Sequence, residues 1–486
     1  MSNIRNLLAG IETIEVRGSL DIQITGITQD SRQVNEGNCF IAISGYKDDG
    51  NKYIDDAVSK GAILVISETS PAGNYPGVTW VRLKDIRKAF ATISLNFYGD
   101  PLKGKYVVGV TGTNGKTTVV ALIDSIFRRK MRTVKFGTLG AWCGMNGKKA
   151  SLTTPEANDI YKFLAEECSG DFENVIMEVS SVALELDRVT GIDFSQAIFT
   201  NLSGDHLDFH YNMENYFDSK LLLFRSLTPD KWAILNIDDE KGKSIIEIID
   251  SKYITFGFSS EADVKPVSYK LSAKGIKALI STPAGDIQIE SCLIGRINLL
   301  NIIAAIASAI VRDISFKDIA AAMKEFKNVK GRLDKVFEND FAVIIDYAHT
   351  DNALENLLLS VKELNFRKII LVFGAGGSRD TTKRPRMGAV AAEFADEVIV
   401  TSDNPRDEDP GDIIKQIIAG FPDGFKSYQI EKDREKGIAA GINIAAKGDV
   451  VIIAGKGHED YQILGKEVIH FDDYEVVANL TEAKGV

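Results

Sequence analysis

Lys116 is the side chain most plainly set up for chemistry. It lies in VVGVTGTNGKTTVVALIDSIF (107–127), where an apolar run enters Gly112, Thr113, Asn114, Gly115, Lys116, Thr117 and Thr118 and leaves as a helical pattern. Glycines let a backbone wrap closely round phosphate oxygens, and the amides at a helix start point at the anion. In such a loop the lysine meets the outer phosphates and the Thr117 hydroxyl is a ligand for Mg²⁺. Strict P-loop spacing needs glycine at 110, where Val110 stands, so the loop is a variant of the form GTxGKTT. A plain glycine turn with an exposed lysine is the competing reading, and the strand before and helix after weigh against it.

Three further residues gain meaning from that loop. Glu178 ends NVIMEVSS, a second apolar run, where its carboxylate can reach a phosphate-bound metal. Strand-end glutamates are common, so the neighbouring loop carries that inference. His206 and His210 fall in TNLSGDHLDFH (200–210). An H-x₃-H pair also arises on a helix face through packing. The chain has only 5 histidines, and two of them in an acidic, glycine-bearing loop favour a metal role for His206. Lys220, inside the helix-like NMENYFDSKLLLF (212–224), reads by itself as a solvated lysine.

The elements that must position these residues follow from the apolar pattern. Short β-branched runs recur at 62–67, 106–112, 174–180, 342–347, 368–374, 397–403 and 449–455, each followed by a turn and a helix-like stretch. Near-continuous apolar runs suit parallel strands covered on both faces, and their alternation with helices predicts α/β domains. A chain of 486 residues exceeds one core. FYGDPLKGKY (97–106) and KNVKGRLDKV (327–336) read as linkers, which gives domains at 1–100, 101–331 and 332–486.

Composition excludes some classes. The net charge of −11 lacks the basic excess of a nucleic-acid binder. No run of eighteen apolar residues occurs, so no membrane span is expected. No secretory leader is read in MSNIRNLLAGIETIEV. Four well-separated cysteines without a CxxC pair suggest neither a disulfide framework nor a zinc site, as expected of a cytoplasmic protein.

A wider set of motifs runs in one order: GTNGKTT, TTPE (153–156), MEVSS (177–181), TNLxxDHLDFH, SKxxLF (219–224), DYAHT (346–350), KRP (383–385), SDNPR (402–406) and AGKGHE (454–459). With DSRQVNEGNCFIAISGYKDDG (30–50) they cover nearly the whole chain, and together they resemble the Mur ligase family, nearest its tripeptide-forming branch. The resemblance implies three α/β domains: an N-terminal module for a UDP-linked substrate, a central P-loop ATPase with a mostly parallel sheet, and a C-terminal Rossmann-like domain for an amino acid. It implies ATP-dependent amide formation through an acyl phosphate, with two Mg²⁺ ions, in peptidoglycan synthesis by a cytoplasmic monomer. UDP-MurNAc-dipeptide and meso-diaminopimelate are the implied substrates.

Residue by residue, the resemblance places Lys116 and Thr117 on phosphate and the first Mg²⁺, with Glu178 and His206 near the metals. Lys220 matches a lysine that is carbamylated in the family, an anion able to support a second Mg²⁺. Asn298 and Asn301 of GRINLLN fall near adenine, and Arg332 and Asp346 face the nucleotide. Ser31, Thr153, Thr154, Ser180 and Arg188 match positions that hold the UDP-peptide. Asp403, Asn404 and Arg406 form the DNPR signature that accompanies diaminopimelate, with Arg379, Gly455 and Glu459. A planar guanidinium grips a second carboxylate bidentately and repels the terminal ammonium of lysine. Taken by itself, NPRDEDP is a charged, proline-bearing turn.

The sequence departs from the family pattern at Val182, Asn51 and Asp351, and at GAGGSRD (374–380). These positions motivate a second expectation, a related amide ligase using another amino acid or acceptor. The DSR and DNPR segments speak against a folylpolyglutamate-synthase type. A non-catalytic nucleotide-binding scaffold would not need Lys116, Glu178, His206 and Lys220 together. No NKxD element supports a GTPase.

Overall fold

The computed structural model describes residues 2–45, 48–149, 152–168 and 170–483. Tyr46 and Lys47, inside the first-domain motif at 30–50, lie outside the described residues.

All seven apolar runs form strands with buried side chains on both faces, as in Tyr106–Thr111, Asn174–Glu178 and Val450–Ala454. Three main sheets result. The first has five strands in the order Thr13–Arg17, Thr79–Leu83, Leu64–Ser67, Asn38–Ala42 and Gly26–Thr28. Helix Ile86–Tyr98 closes it. The last has six strands and runs from Asp334–Glu338 at one edge to Tyr428–Glu431 at the other. Both sheets are parallel except for one antiparallel edge strand. Helices pack on both faces of the last sheet, in the doubly wound manner that the strand–helix alternation predicts.

The central sheet has eight strands, and strand Tyr106–Thr111 sits inside it. Its neighbours are Asn174–Glu178 on one side and Gln196–Phe199 on the other, both parallel to it. In register, Glu178 pairs with Val110 and Phe199 with Thr111. The carboxyl ends of three adjacent strands therefore open on one edge. In open α/β sheets ligands bind at such an edge. Helix Lys116–Phe127 packs its apolar face on this sheet together with Arg296–Val311, a helix apolar nearly all round and buried accordingly. A three-stranded antiparallel sheet (Lys265–Ser272, Gly275–Thr282, Gly285–Ser291) covers the same core. Among the described residues no helix is long and apolar enough to cross a membrane.

Candidate active site

The loop between Thr111 and Lys116 is held from outside as well as by its own glycines. Gly112 has φ +146°, and a Cβ there would lie 1.9 Å from Thr200 Oγ1. Gly115 has φ +87°, and its Cβ would meet Asn301 Oδ1 at 2.6 Å. The end of the neighbouring strand fastens the middle: Thr113 N donates to Asn201 O at 2.9 Å, Asn114 N to Asn201 Oδ1 at 2.9 Å, and Thr200 Oγ1 to Asn114 O at 2.6 Å. A loop braced on both sides presents its shape before any ligand arrives.

Lys116 Nζ donates to Gly112 O at 2.9 Å and Thr113 O at 2.8 Å, folded back on its own loop. Burial lowers its pKa, and the charges of Glu178 and Asp205 partly restore it. Thr117 Oγ1 donates to Glu178 Oε2 at 3.0 Å, which joins the helix start to the adjacent strand end. Glu178 also accepts from Thr138 N at 2.8 Å, and Gly137 has no room for a side chain beside that carboxylate.

Lys220 is not the solvated lysine that its helix position suggests. It is 1% exposed, its Nζ donates to Gly112 O at 3.0 Å, and it lies 4.1 Å from the centre of the Tyr216 ring. Burial, with the neighbouring Lys116 charge, holds its pKa well below the usual lysine range. Two lysine Nζ atoms share one carbonyl, and among the described residues no carboxylate forms an ion pair with Lys220.

The two histidines part company. His206 stands in the left-handed region (φ +54°) just before the short helix Leu207–His210 and opens onto a cavity. His210 is buried between Ser181 Oγ at 2.9 Å and Ser219 Oγ at 3.3 Å, a packing role. Asp205, absent from the sequence expectations, lies 3.6 Å from the His206 ring. Burial works to raise its carboxyl, yet the nearby His206, His349 and Lys116 leave it below the usual range.

Two cavities adjoin each other here, sharing Asn352, and the first reaches this loop. One, of about 340 Å³, is lined by Asn114, Gly115, Thr118, Asn298, Asn301, Arg332 and Asp346 among others. Asn298 and Asn301 occupy the first turn and a half of their helix, with Asn298 Nδ2 donating to Ile294 O at 3.0 Å. From beyond residue 331, Arg332 Nη2 reaches Thr117 Oγ1 at 3.3 Å while its guanidinium lies 4.7 Å from the Tyr347 ring centre. Asp346 accepts from Leu333 N at 2.6 Å and Ala348 N at 2.7 Å, an anchor for that turn.

The other cavity, about 420 Å³, is lined by Asp205 and His206 on the loop side and by Arg379, Asp403, Asn404, Arg406, Gly455 and Glu459 on the far side. All six residues named from the DNPR pattern and its companions thus share one wall. Asn404 Nδ2 donates to Glu459 Oε2 at 2.9 Å, and Gly455 leaves space for Asp403 Oδ2. Lys383, His349 and Asp351 line it as well, and sequence reasoning missed the roles of all three. Partial burial lowers the Lys383 pKa against the pull of Asp205. Asp351, one of the departures, holds Arg386 in an ion pair.

Of the residues matched to the UDP-peptide, four cluster. Thr154 Oγ1 donates to Glu178 O at 2.8 Å and accepts from Ser180 N at 3.0 Å; Arg188 Nη1 donates to Thr154 O at 3.2 Å. Thr153 Oγ1 accepts from Thr138 Oγ1 at 3.2 Å. Ser31 stands apart in the first sheet's unit, where Lys60 Nζ donates to its carbonyl at 3.2 Å.

Family models for the Mur ligase family catalytic domain, the Mur ligase middle domain and the Mur ligase glutamate ligase domain match residues 23–98, 110–309 and 331–457. A relative from Syntrophomonas wolfei, a UDP-N-acetylmuramoyl-L-alanyl-D-glutamate–2,6-diaminopimelate ligase, is 42% identical over 478 residues, 97% of this chain and 98% of its own. The chain belongs to the Mur ligase family. A ligase of the same name from Geobacter metallireducens is 40% identical over 98% of this chain and 97% of its own. A solved structure of a ligase with that name superposes with a TM-score of 0.70 at 30% identity, covering 100% of this chain and 99% of that one. The MurF ligase of Thermotoga maritima in complex with ADP shares the fold at a TM-score of 0.66 and 17% identity, over 94% of this chain and 97% of its own. The three-part α/β Mur ligase architecture expected from the motifs is therefore the one this chain has.

Proposed function

We propose that this chain is the ligase that adds meso-diaminopimelate to UDP-N-acetylmuramoyl-L-alanyl-D-glutamate at the expense of ATP. One observation carries the reading. A cavity lined by Asn114 and Gly115 of the glycine loop with Asn298, Asn301 and Asp346 shares Asn352 with a cavity lined by Arg379, Arg406 and Glu459. ATP fits the first and a doubly charged amino acid the second, so the γ-phosphoryl group lies where the two meet. We assign 1–100 to the UDP-linked substrate, 101–331 to ATP and 332–486 to the amino acid. Ser31, Thr153, Thr154, Ser180 and Arg188 are the proposed contacts for the first of these.

The chemistry follows from the charges. A carboxylate is a poor electrophile until one oxygen becomes a leaving group. Its attack on the γ-phosphorus expels ADP and leaves an acyl phosphate; the neutral amine then attacks the acyl carbon, phosphate departs and the nitrogen gives up a proton. Lys116 is placed to leave its own loop carbonyls for the phosphoryl oxygens. Positioning and charge neutralisation then supply most of the rate.

The residues present fit Mg²⁺. The described residues hold no cluster of three or more His, Cys, Asp or Glu side chains, the pattern of an all-protein metal cage. Mg²⁺ instead binds through one or two carboxylates plus phosphate oxygens and water. Thr117, Glu178 and His206, with Lys220 as a carbamate, are the proposed holders of two ions, and the bound metal neutralises phosphate charge. Burial that disfavours the ammonium form makes the amine form easier to reach, and that amine can add CO₂ and release a proton. The resulting anion would pair with Lys116, whose Nζ shares Gly112 O with the unmodified Lys220 Nζ. A monomer is the proposed state, and the free cysteines suit a cytoplasmic site.

The test is phosphate release from ATP with the UDP-linked dipeptide and a panel of amino acids. Diaminopimelate should be used far better than L-lysine. Truncating one partner of a buried charged contact costs on the order of 2–5 kcal/mol, so Arg406→Ala should erase a preference of roughly 30-fold or more while ATP binding holds. A wild-type enzyme that prefers lysine, or ignores both, overturns the amino-acid assignment.

A further inference from the structure

We propose that Arg384 and Glu408 form the positioning pair that fixes the shape of the amino-acid cavity and, through it, the choice of amino acid. The proposal rests on the reading of that cavity given above. KRP (383–385) divides in the fold. Lys383 faces the cavity, whereas Arg384 turns away from it with its side chain 0% exposed.

Arg384 binds three separate pieces of chain. Nη1 donates to Glu408 Oε2 at 2.8 Å and to Gln416 Oε1 at 2.9 Å; Nη2 donates to Glu408 Oε1 at 3.0 Å and to Gly376 O at 3.0 Å. Gly376 lies in the loop that bears Arg379, and Glu408 in the loop that bears Arg406. Glu408 Oε1 also accepts from Ser378 N, so the carboxylate ties both loops at once. Between them, Gly377 N donates to Asn404 O at 2.9 Å and Arg406 Nη1 to Gly377 O at 2.8 Å.

Each loop also carries a non-glycine residue in the left-handed region: Ser378 and Arg406, both with φ 52°. Such residues persist only where the surroundings over-determine them. A bidentate guanidinium–carboxylate pair fixes angle as well as distance, which a hydrophobic pair of equal volume does not. Arg384 is not among the residues that line the cavity. Its effect on substrate passes through the groups it holds, Gly376 directly and the loops of Arg379 and Arg406 by way of Glu408, which makes it a positioning residue.

Arg384→Lys keeps the charge and loses the fork; Glu408→Gln keeps the shape and loses the charge. For each, KM and kcat would be measured for diaminopimelate and for L-lysine, with KM for ATP and for the UDP-linked dipeptide and a thermal melt alongside. Misplacement of binding groups by about 1 Å costs up to 10²-fold, so kcat/KM for diaminopimelate should fall roughly 10- to 100-fold, mainly through KM. The diaminopimelate-over-lysine preference should narrow while the ATP and dipeptide values hold. Folded variants that melt lower yet keep the wild-type KM and preference overturn the proposal, since the pair is then a brace only. A parallel rise in all three substrate KM values overturns it too. Should Arg384→Lys fail to fold, Glu408→Gln decides, because that side chain is 31% exposed. A wild-type enzyme that never uses diaminopimelate refutes the function reading instead, and the variants are then scored on the amino acid it does use.

Discussion

At the scale of single residues, burial decides what each charge can do. Lys220→Ala should abolish ligase turnover if a carbamate stands there, with partial recovery on adding short carboxylic acids that restore the anion. Full activity of that variant would refute the carbamate. His210 makes a separate prediction about pH. Burial, with the charges of His206 and Lys220, lowers its pKa from 6.5 to about 4. The unfolded chain therefore binds a proton that the folded one refuses between those values. The stabilisation is fully present above pH 6.5 and is lost as pH falls toward 4. Melting temperature should drop across that window, and His210→Gln should flatten the slope; an unchanged slope would place the acid sensitivity elsewhere.

At the scale of elements, the phosphate loop depends on its neighbours. A methyl group at Gly112 collides with Thr200 Oγ1, on backbone that side chains rarely adopt. Gly112→Ala should thus remove ATP turnover while far-UV circular dichroism keeps its native shape; normal turnover would mean that the loop tolerates a shift. The strands and this loop were legible from sequence because apolar runs and glycine spacing are local signals. Lys220 was not, since its burial depends on a strand more than a hundred residues away. Asp205 and Lys383 escaped for the same reason: a charged residue in a loop or at a helix start looks solvated until another domain closes over it. Resemblance to the family supplied the role proposed for Lys220, and packing supplies the physical reason for it.

At the scale of the molecule, the site is a seam. Arg332 comes from the turn that leads into the last sheet yet bonds Thr117, at the start of the helix that follows the glycine loop. Hydrogen bonds that involve a charged partner are worth about 1.5–3 kcal/mol. Arg332→Ala should then raise KM for ATP roughly tenfold or more. An unchanged KM would show that the contact is lost when nucleotide binds. The same seam has a consequence for how the protein comes into being. Gly112, Glu178 and Thr200 stand at the ends of three strands that pair only after long stretches of intervening chain have been looped out. Non-local pairing of this kind is slow. A newly made chain exposes Gly112 and Glu178 to solvent long before Arg332 is made, so the nucleotide side of the seam is finished only when the last domain arrives.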